Sequence, residues 1–305
     1  MKNKILVVGS LNIDYVYKFS SSLKFSKSPD VVCCGGKAIN QALSLKRNGF
    51  DVDMLSALPN DKASRLTKKF LRKNRINLFD VSRGSLQKSD FSRLFVDKFG
   101  NYNVKKRCYT TKYFSKTKIK EYLSIRDDIF CIVTFAKMKK EIFSYLIDYC
   151  YNKSILSVFT PCPAWKVSTH NKSDFELLKK VGFVFANKFE ALRITGTKDI
   201  RDAILTLKNM IVTDGDRGVF YFENGDIKHV SALTPKRLVD TTGAGDVFCG
   251  FFLSKYFETQ DMTLSVKYGV VASTLKLNKL GSSRGVPKKR IAEKYFKKNC
   301  KIARL

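Results

Sequence analysis

Val239-Asp240-Thr241-Thr242-Gly243-Ala244-Gly245-Asp246-Val247-Phe248-Cys249-Gly250 is the stretch whose reading decides the fold. Three small residues, Gly243 to Gly245, precede a carboxylate and then an apolar run from Val247 to Leu253. The pattern predicts a tight loop opening a buried helix, with Asp246 in its first turn. Such a loop aims backbone N–H groups and the positive end of a helix dipole at one spot, which suits an anion. Glycines let the backbone approach that anion with no Cβ in the way. A carboxylate repels an anion, so Asp246 makes chemical sense there as a base that takes a proton from an attacking hydroxyl. The alternative is an aspartate that only complements the helix dipole.

The run Asp-Thr-Thr-Gly-Ala-Gly-Asp-x-Phe-x-Gly closely resembles the C-terminal signature of the ribokinase-like (PfkB) family of carbohydrate kinases. A second stretch, Gly35-Gly36-Lys37-Ala38-Ile39-Asn40-Gln41-Ala42, resembles that family's N-terminal signature in its ribokinase form. The resemblance spans nearly the whole chain. It implies an α/β fold with a mostly parallel central sheet, helices on both faces and a small β-sheet lid. One kinase domain over residues 1–305 would carry that lid as insertions at about 15–34 and 89–110. It also implies ATP and Mg²⁺ as cofactors, and phosphoryl transfer to a sugar hydroxyl. Asp246 would be the base, and the N–H groups of Gly243, Ala244 and Gly245 would stabilise developing charge.

Composition agrees with a globular protein. The chain has 305 residues, 44% hydrophobic and 28% charged, ordinary values for a single large α/β domain. No stretch approaches the roughly 18 apolar residues of a membrane span. Lys4 to Gly9 reads as a first strand rather than a signal segment, so a cytoplasmic protein is expected. The eight cysteines form no Cys-x-x-Cys pair and sit mostly in apolar runs, which reads as buried free thiols. The net charge of +30 is scattered in lysine pairs along the chain. That distribution reads as solvated surface charge, with no specific nucleic-acid partner.

Taken in order, Gly9-Ser10-Leu11-Asn12-Ile13-Asp14 closes the first strand and places polar groups at a sheet's carboxyl edge, where open α/β sheets bind ligands. By resemblance Asn12, Asp14, Gly36, Lys37 and Asn40 orient the acceptor; an amide such as Asn40 both donates to and accepts from hydroxyls. Val52 to Leu58 predicts a strand and Asn60 the cap of a helix through Leu71. Phe91–Asp97 and Tyr102–Cys108 predict a hairpin. Ile129–Phe135, Lys139–Tyr149 and Ile155–Phe159 continue the alternation of strand and helix, which implies a parallel sheet.

Phe183 to Glu190 again predicts a strand feeding a helix. Its Asn187-x-x-Glu190 spacing fits a capping box, while by resemblance Asn187 and Glu190 organise Mg²⁺ through water. Thr213, Gly215 and Gly218, with Asn187 and Gly245, would receive the nucleotide. Asp240 and Thr242 match a monovalent-cation loop, implying K⁺ with carbonyls near Gly281 to Gly285. Two departures stand out. The first insertion is short and lacks a Pro-Gly-Glu-Thr-like turn, which bears on the lid and on a homodimer formed through it. Ala136 stands where ribokinases carry a glutamate that contacts the sugar. A nucleoside kinase of the same family, and a non-catalytic sugar- or nucleic-acid-binding descendant, therefore remain alternatives.

Overall fold

The computed structural model describes residues 4–19, 25–82, 88–107, 110–135, 138–162 and 168–299. The chain begins with β1 (Lys4–Val8), β2 (Asn12–Lys18), β3 (Val31–Gly35), α1 (Lys37–Arg47), β4 (Asp51–Ser56), α2 (Lys62–Lys73) and β5 (Asn77–Asp80). Next come β6 (Asp90–Val96), β7 (Tyr102–Arg107), α3 (Lys116–Ser124), β8 (Ile129–Phe135), α4 (Lys140–Asn152), β9 (Leu156–Thr160) and α5 (Lys172–Lys179). Then follow β10 (Phe183–Asn187), α6 (Lys188–Thr195), α7 (Ile200–Thr206), β11 (Met210–Thr213), β12 (Val219–Glu223) and β13 (Asp226–Val230). Four helices close the chain: α8 (Ala244–Thr259), α9 (Met262–Leu277), α10 (Ser282–Gly285) and α11 (Lys289–Asn299).

Among the described residues the larger sheet has nine strands in the order β13-β12-β11-β10-β9-β8-β1-β4-β5. Its strands from β5 to β11 pair in parallel, and β12 and β13 add an antiparallel edge. Strand β1 explains why helices cover both faces. Ile5 and Val7 pack on one side with Ala38 and Ile39 of α1 and Phe248 and Phe252 of α8. Leu6 and Val8 pack on the other with Ile119 of α3 and Ile142 of α4. A strand apolar at every position from Ile5 to Val8 cannot leave either face in water, because each such side chain gains about 1.5–3 kcal/mol on burial.

The smaller sheet runs β3-β2-β6-β7, with β2 and β6 parallel and the other pairs antiparallel. Its hairpin β6–β7 matches the expected one, and the tip is fixed by Asp97, whose carboxylate accepts from the N–H groups of Phe99 and Asn101 at 2.8 and 2.9 Å. The cap of α2 is Asp61, not Asn60 as the sequence suggests. Asp61 accepts from the Ser64 N–H at 2.8 Å and, through its other oxygen, from the Ser89 N–H at 2.7 Å, a tie to the approach of β6 that local sequence does not reveal. Six described cysteines are buried free thiols, as expected; Cys108 and Cys300 lie outside the described residues. Among those residues no helix is long and apolar enough to cross a membrane.

Helix α8 is buried on all sides from Val247 to Ser254, as its unbroken apolar run requires. It lies against α1 so closely that a Cβ at Gly250 would collide with Ser44. Gly250→Leu should therefore force the two helices apart and cost about 1–3 kcal/mol or more. A lowered denaturant midpoint would show this; an unchanged midpoint would mean that Gly250 does not set the spacing.

Candidate active site

The two signature stretches meet at the starts of α1 and α8. Gly243 takes a left-handed conformation (φ 76°) and caps α8, so Ala244, Gly245 and Asp246 form its first turn. Asn40, one turn into α1, donates from Nδ2 to Asp246 Oδ2 at 2.9 Å. Only an NH₂ group can face a carboxylate in this way, so the orientation of the Asn40 amide is dictated, and its Oδ1 is left buried with no protein donor. The approach is tight: a Cβ at Gly243 would lie 2.9 Å from Asn40 Nδ2. Of the three N–H groups expected to stabilise charge, that of Ala244 donates to the Thr241 carbonyl at 3.2 Å and closes the turn.

The residues expected to orient the acceptor continue this surface. Asn12 donates from Nδ2 to Asp14 Oδ1 at 2.6 Å and to Ser92 Oγ at 3.0 Å, again leaving a buried Oδ1 without a protein donor. Ser282 donates from Oγ to Asp14 Oδ2 at 2.7 Å. The Ser282 Cβ in turn lies 3.3 Å from where a Gly243 Cβ would stand, so Asp14, Ser282, Gly243, Asn40 and Asp246 form one connected line. Gly36 begins α1 at φ 101°, and a Cβ there would strike Asn12 Oδ1. The hairpin tip closes over the loop, because the Gly100 carbonyl accepts from the Thr241 N–H at 3.0 Å and the Thr241 hydroxyl at 3.1 Å.

On the other side stand the carboxyl ends of β10 and β11, where Asn187 and Thr213 pair in register. Gly215 and Gly218 bound the short turn that follows. Asn187 and Glu190 form a complete capping box: Asn187 Oδ1 accepts from the Glu190 N–H at 2.8 Å, and Glu190 Oε2 accepts from the Asn187 N–H at 3.1 Å. The other oxygen, Glu190 Oε1, lies 3.5 Å from Lys37 Nζ, which also donates to the Pro161 carbonyl at 2.7 Å. Burial pushes the Glu190 carboxyl up in pKa, beyond what Lys37 pulls back. Burial works against the Lys37 charge, but Glu190 and Asp246 outweigh it and raise its pKa. Two carboxylates thus share one ammonium, a surplus of negative charge that a divalent cation would offset. Among the described residues no three His, Cys, Asp or Glu side chains are grouped to hold a metal.

The oxygens of Asp240, expected as monovalent-cation ligands, have partners within the chain. Asp240 Oδ1 accepts from the Thr242 N–H at 2.8 Å, and Oδ2 accepts from the Gly281 N–H at 2.8 Å. Lys276 Nζ donates to the Asp240 carbonyl at 2.6 Å and lies 3.3 Å from Oδ2, with both side chains fully buried. Of the side-chain oxygens expected as ligands only Thr242 Oγ1 is left, buried and without a partner, and of the expected carbonyls that of Gly281 accepts from the Gly285 N–H at 3.2 Å. One side-chain oxygen does not by itself make a cation site.

The structure thus gathers Asn12, Asp14, Gly36, Lys37, Asn40, Gly243 and Asp246 around one place, with Glu190 joined through Lys37. Ala136 lies outside the described residues. Three participants were missed from sequence: Ser92, Ser282 and Lys276. Only Ser282 carried a signal, because it follows Gly281 in the loop expected to supply carbonyls.

An anion-binding helix start, a carboxylate in its first turn and polar acceptors facing it are the arrangement of a phosphoryl-transfer site. The model of the pfkB family carbohydrate kinases matches residues 2–289, and the chain belongs to that family. It is 25% identical over 300 residues to the ribokinase of Lactococcus lactis, covering 93% of this chain and 94% of that one. It is 24% identical to the bifunctional ribokinase/ribose-5-phosphate isomerase A of Fructilactobacillus sanfranciscensis, over 93% of this chain but 54% of that protein. The ribokinase structure from Giardia lamblia shares the fold, with a TM-score of 0.81, 18% identity, and coverage of 97% of this chain and 99% of that one.

Asn40 touches Asp246 and so positions it. Asn40→Ala should lower kcat by about 10–100-fold through misplacement of the carboxylate, leaving KM for the nucleotide within a few-fold. A steady-state comparison checks this, and an unchanged kcat would free Asp246 from dependence on Asn40.

Proposed function

We propose that the chain transfers the γ-phosphoryl group of ATP to a primary hydroxyl of a sugar or a sugar-containing small molecule. The observation that carries this reading is the pair of buried amide oxygens, Asn12 Oδ1 and Asn40 Oδ1. Each is turned away from a carboxylate by its own NH₂ group and has no protein donor. Buried acceptors without donors are costly, and a polyhydroxyl ligand supplies O–H groups to them. Asp14 and Lys37 hold the acceptor beside them.

Asp246 takes the proton of the attacking hydroxyl. The hydroxyl oxygen of the acceptor forms the new bond to phosphorus while the bond to the β-phosphate oxygen breaks and ADP leaves, the proton staying on Asp246. The N–H groups of Gly243 and Gly245 and the dipole of α8 face the charge that develops; that of Ala244 holds the turn. Thr213, Gly215 and Gly218 flank the nucleotide. Mg²⁺, when bound, neutralises phosphate charge, and the Asn187–Glu190 box would hold it through water. The six described cysteines kept as free thiols and the demand for ATP suit the cytoplasm.

The small sheet serves as the lid, and one observation favours a broader acceptor than ribose. Tyr102 and Val104 share the face of β7 turned with Leu94 and Val96 toward the site, yet are 44% and 41% exposed. Tyr102 lies near enough to Asp246 and Lys37 for their charges to act on it. An aromatic and an aliphatic side chain there offer a wall to a nucleobase. Val32 is 51% exposed, and the half-buried Tyr17 and Phe95 stack on the outer face of the sheet; this apolar patch suits a homodimer paired through the lid.

The test is ATP turnover with a panel of sugars and nucleosides, read by ADP release and by mass of the phosphorylated product. Phosphorylation of ribose or a related sugar, and of at least one nucleoside, is expected. Tyr102→Ala should lower kcat/KM for the nucleoside about 10-fold and change that for ribose less. Ala136→Glu should shift preference toward ribose. Turnover of ribose alone would remove the broader acceptor, and no turnover of any compound would remove the kinase reading itself.

A further inference from the structure

The loop that feeds the start of α8 must be held against the charge of Asp240. That carboxylate is fully buried, and an uncompensated buried charge is not stable. The compensating charge comes from within the chain. Lys276 sits in the last turn of α9, where the dipole of its own helix favours a cation. Its stem is confined by Gly285, where a Cβ would lie 2.9 Å from Lys276 Cγ and 3.0 Å from Cε. Its ammonium reaches both a main-chain carbonyl and a carboxylate oxygen of Asp240, at 2.6 and 3.3 Å. The same helix end fixes the loop backbone, because the N–H groups of Val239 and Asp240 both donate to the Leu277 carbonyl, at 2.8 and 3.3 Å.

We infer that the Lys276 ammonium is a built-in substitute for the monovalent cation, so that this kinase needs no K⁺ to hold its anion loop in place. A lysine ammonium is a compact point charge with three donors. Fixed to a buried helix, it engages the oxygens of Asp240 that would otherwise replace a potassium ion's water, and it does so without a binding equilibrium. The acceptor side benefits as well. Gly281, held by Asp240 Oδ2, immediately precedes Ser282, which donates to Asp14. Lys276 is thus a positioning residue for both halves of the site.

The inference depends on the kinase reading only where rates are measured, so two readouts are taken. Wild-type protein is compared in KCl and in choline chloride at equal ionic strength, by melting temperature without substrates and by turnover of whichever acceptor the panel yields. Both should be the same in the two salts, with rates within about twofold. Activation by K⁺ of about fivefold or more, the lower end of ordinary coupling between sites, would overturn the proposal. A rise in melting temperature with K⁺ of about 2 °C or more over choline would also overturn it.

In Lys276→Met the place should become a cation site. K⁺ should raise the melting temperature by about 2 °C or more and restore part of the lost rate, more than Li⁺ or choline does. A folded Lys276→Met protein indifferent to the identity of the cation would contradict the proposal, since a merely structural ion pair has no ionic selectivity. If that variant does not fold, the wild-type comparison decides alone. The melting arm also decides if no acceptor is turned over.

Discussion

The hydrogen bond from Asn40 to Asp246 joins residues 206 positions apart, and most of the site depends on it. It closes only because α1 and α8 approach within the reach that Gly250 allows and because Gly243 turns the chain with no side chain of its own. The same bond decides which way the Asn40 amide faces. A packing constraint in the core is in this way converted into an orientation of polar atoms at the surface of the sheet, where small side-chain displacements cost most.

Charge balance is the second constraint. The residues around the transfer point carry a surplus of carboxylates, and each is answered differently. Asp14 is answered by neutral donors, Asn12 and Ser282. Glu190 is answered by Lys37 and a backbone N–H. Asp240 is answered by a lysine buried beside it. Neutral donors leave a carboxylate's charge available to a ligand, whereas an ammonium cancels it. That difference separates Asp14, proposed to recognise the acceptor, from Asp240, whose carboxylate ties a loop.

Much of this was legible in the sequence, for physical reasons that differ between elements. Strands such as β8 and β10 announce themselves through apolar runs, Ile129 to Val133 and Phe183 to Ala186, and the two glycine-rich signatures through residues that few other structures need. The capping-box reading of Asn187 and Glu190 is met in full, and the carboxylate oxygen that the box leaves over lies beside Lys37. The cap of α2 was displaced by one residue because Asn60 and Asp61 have similar local chemistry, and only the distant Ser89 distinguishes them. Ser92 was invisible, and Ser282 was marked only by its place in a loop, because a serine acquires its role from its partner, here 80 and 268 residues away. Lys276 was hidden among so many lysines; nothing in its neighbourhood marks it as the buried one.

The central claim is that Asp246 is the base of a phosphoryl transfer whose other parts are assembled around it. Replacing Asp246 by Asn keeps the shape and the contact with Asn40 while removing the ability to take a proton. Single-turnover measurement of product formation from bound ATP and acceptor tests this most directly. The account predicts a rate lower by about 10²–10⁴-fold, with nucleotide affinity within a few-fold of wild type. A rate within a few-fold of wild type would contradict it and leave Asp246 as no more than the negative charge that completes the start of α8.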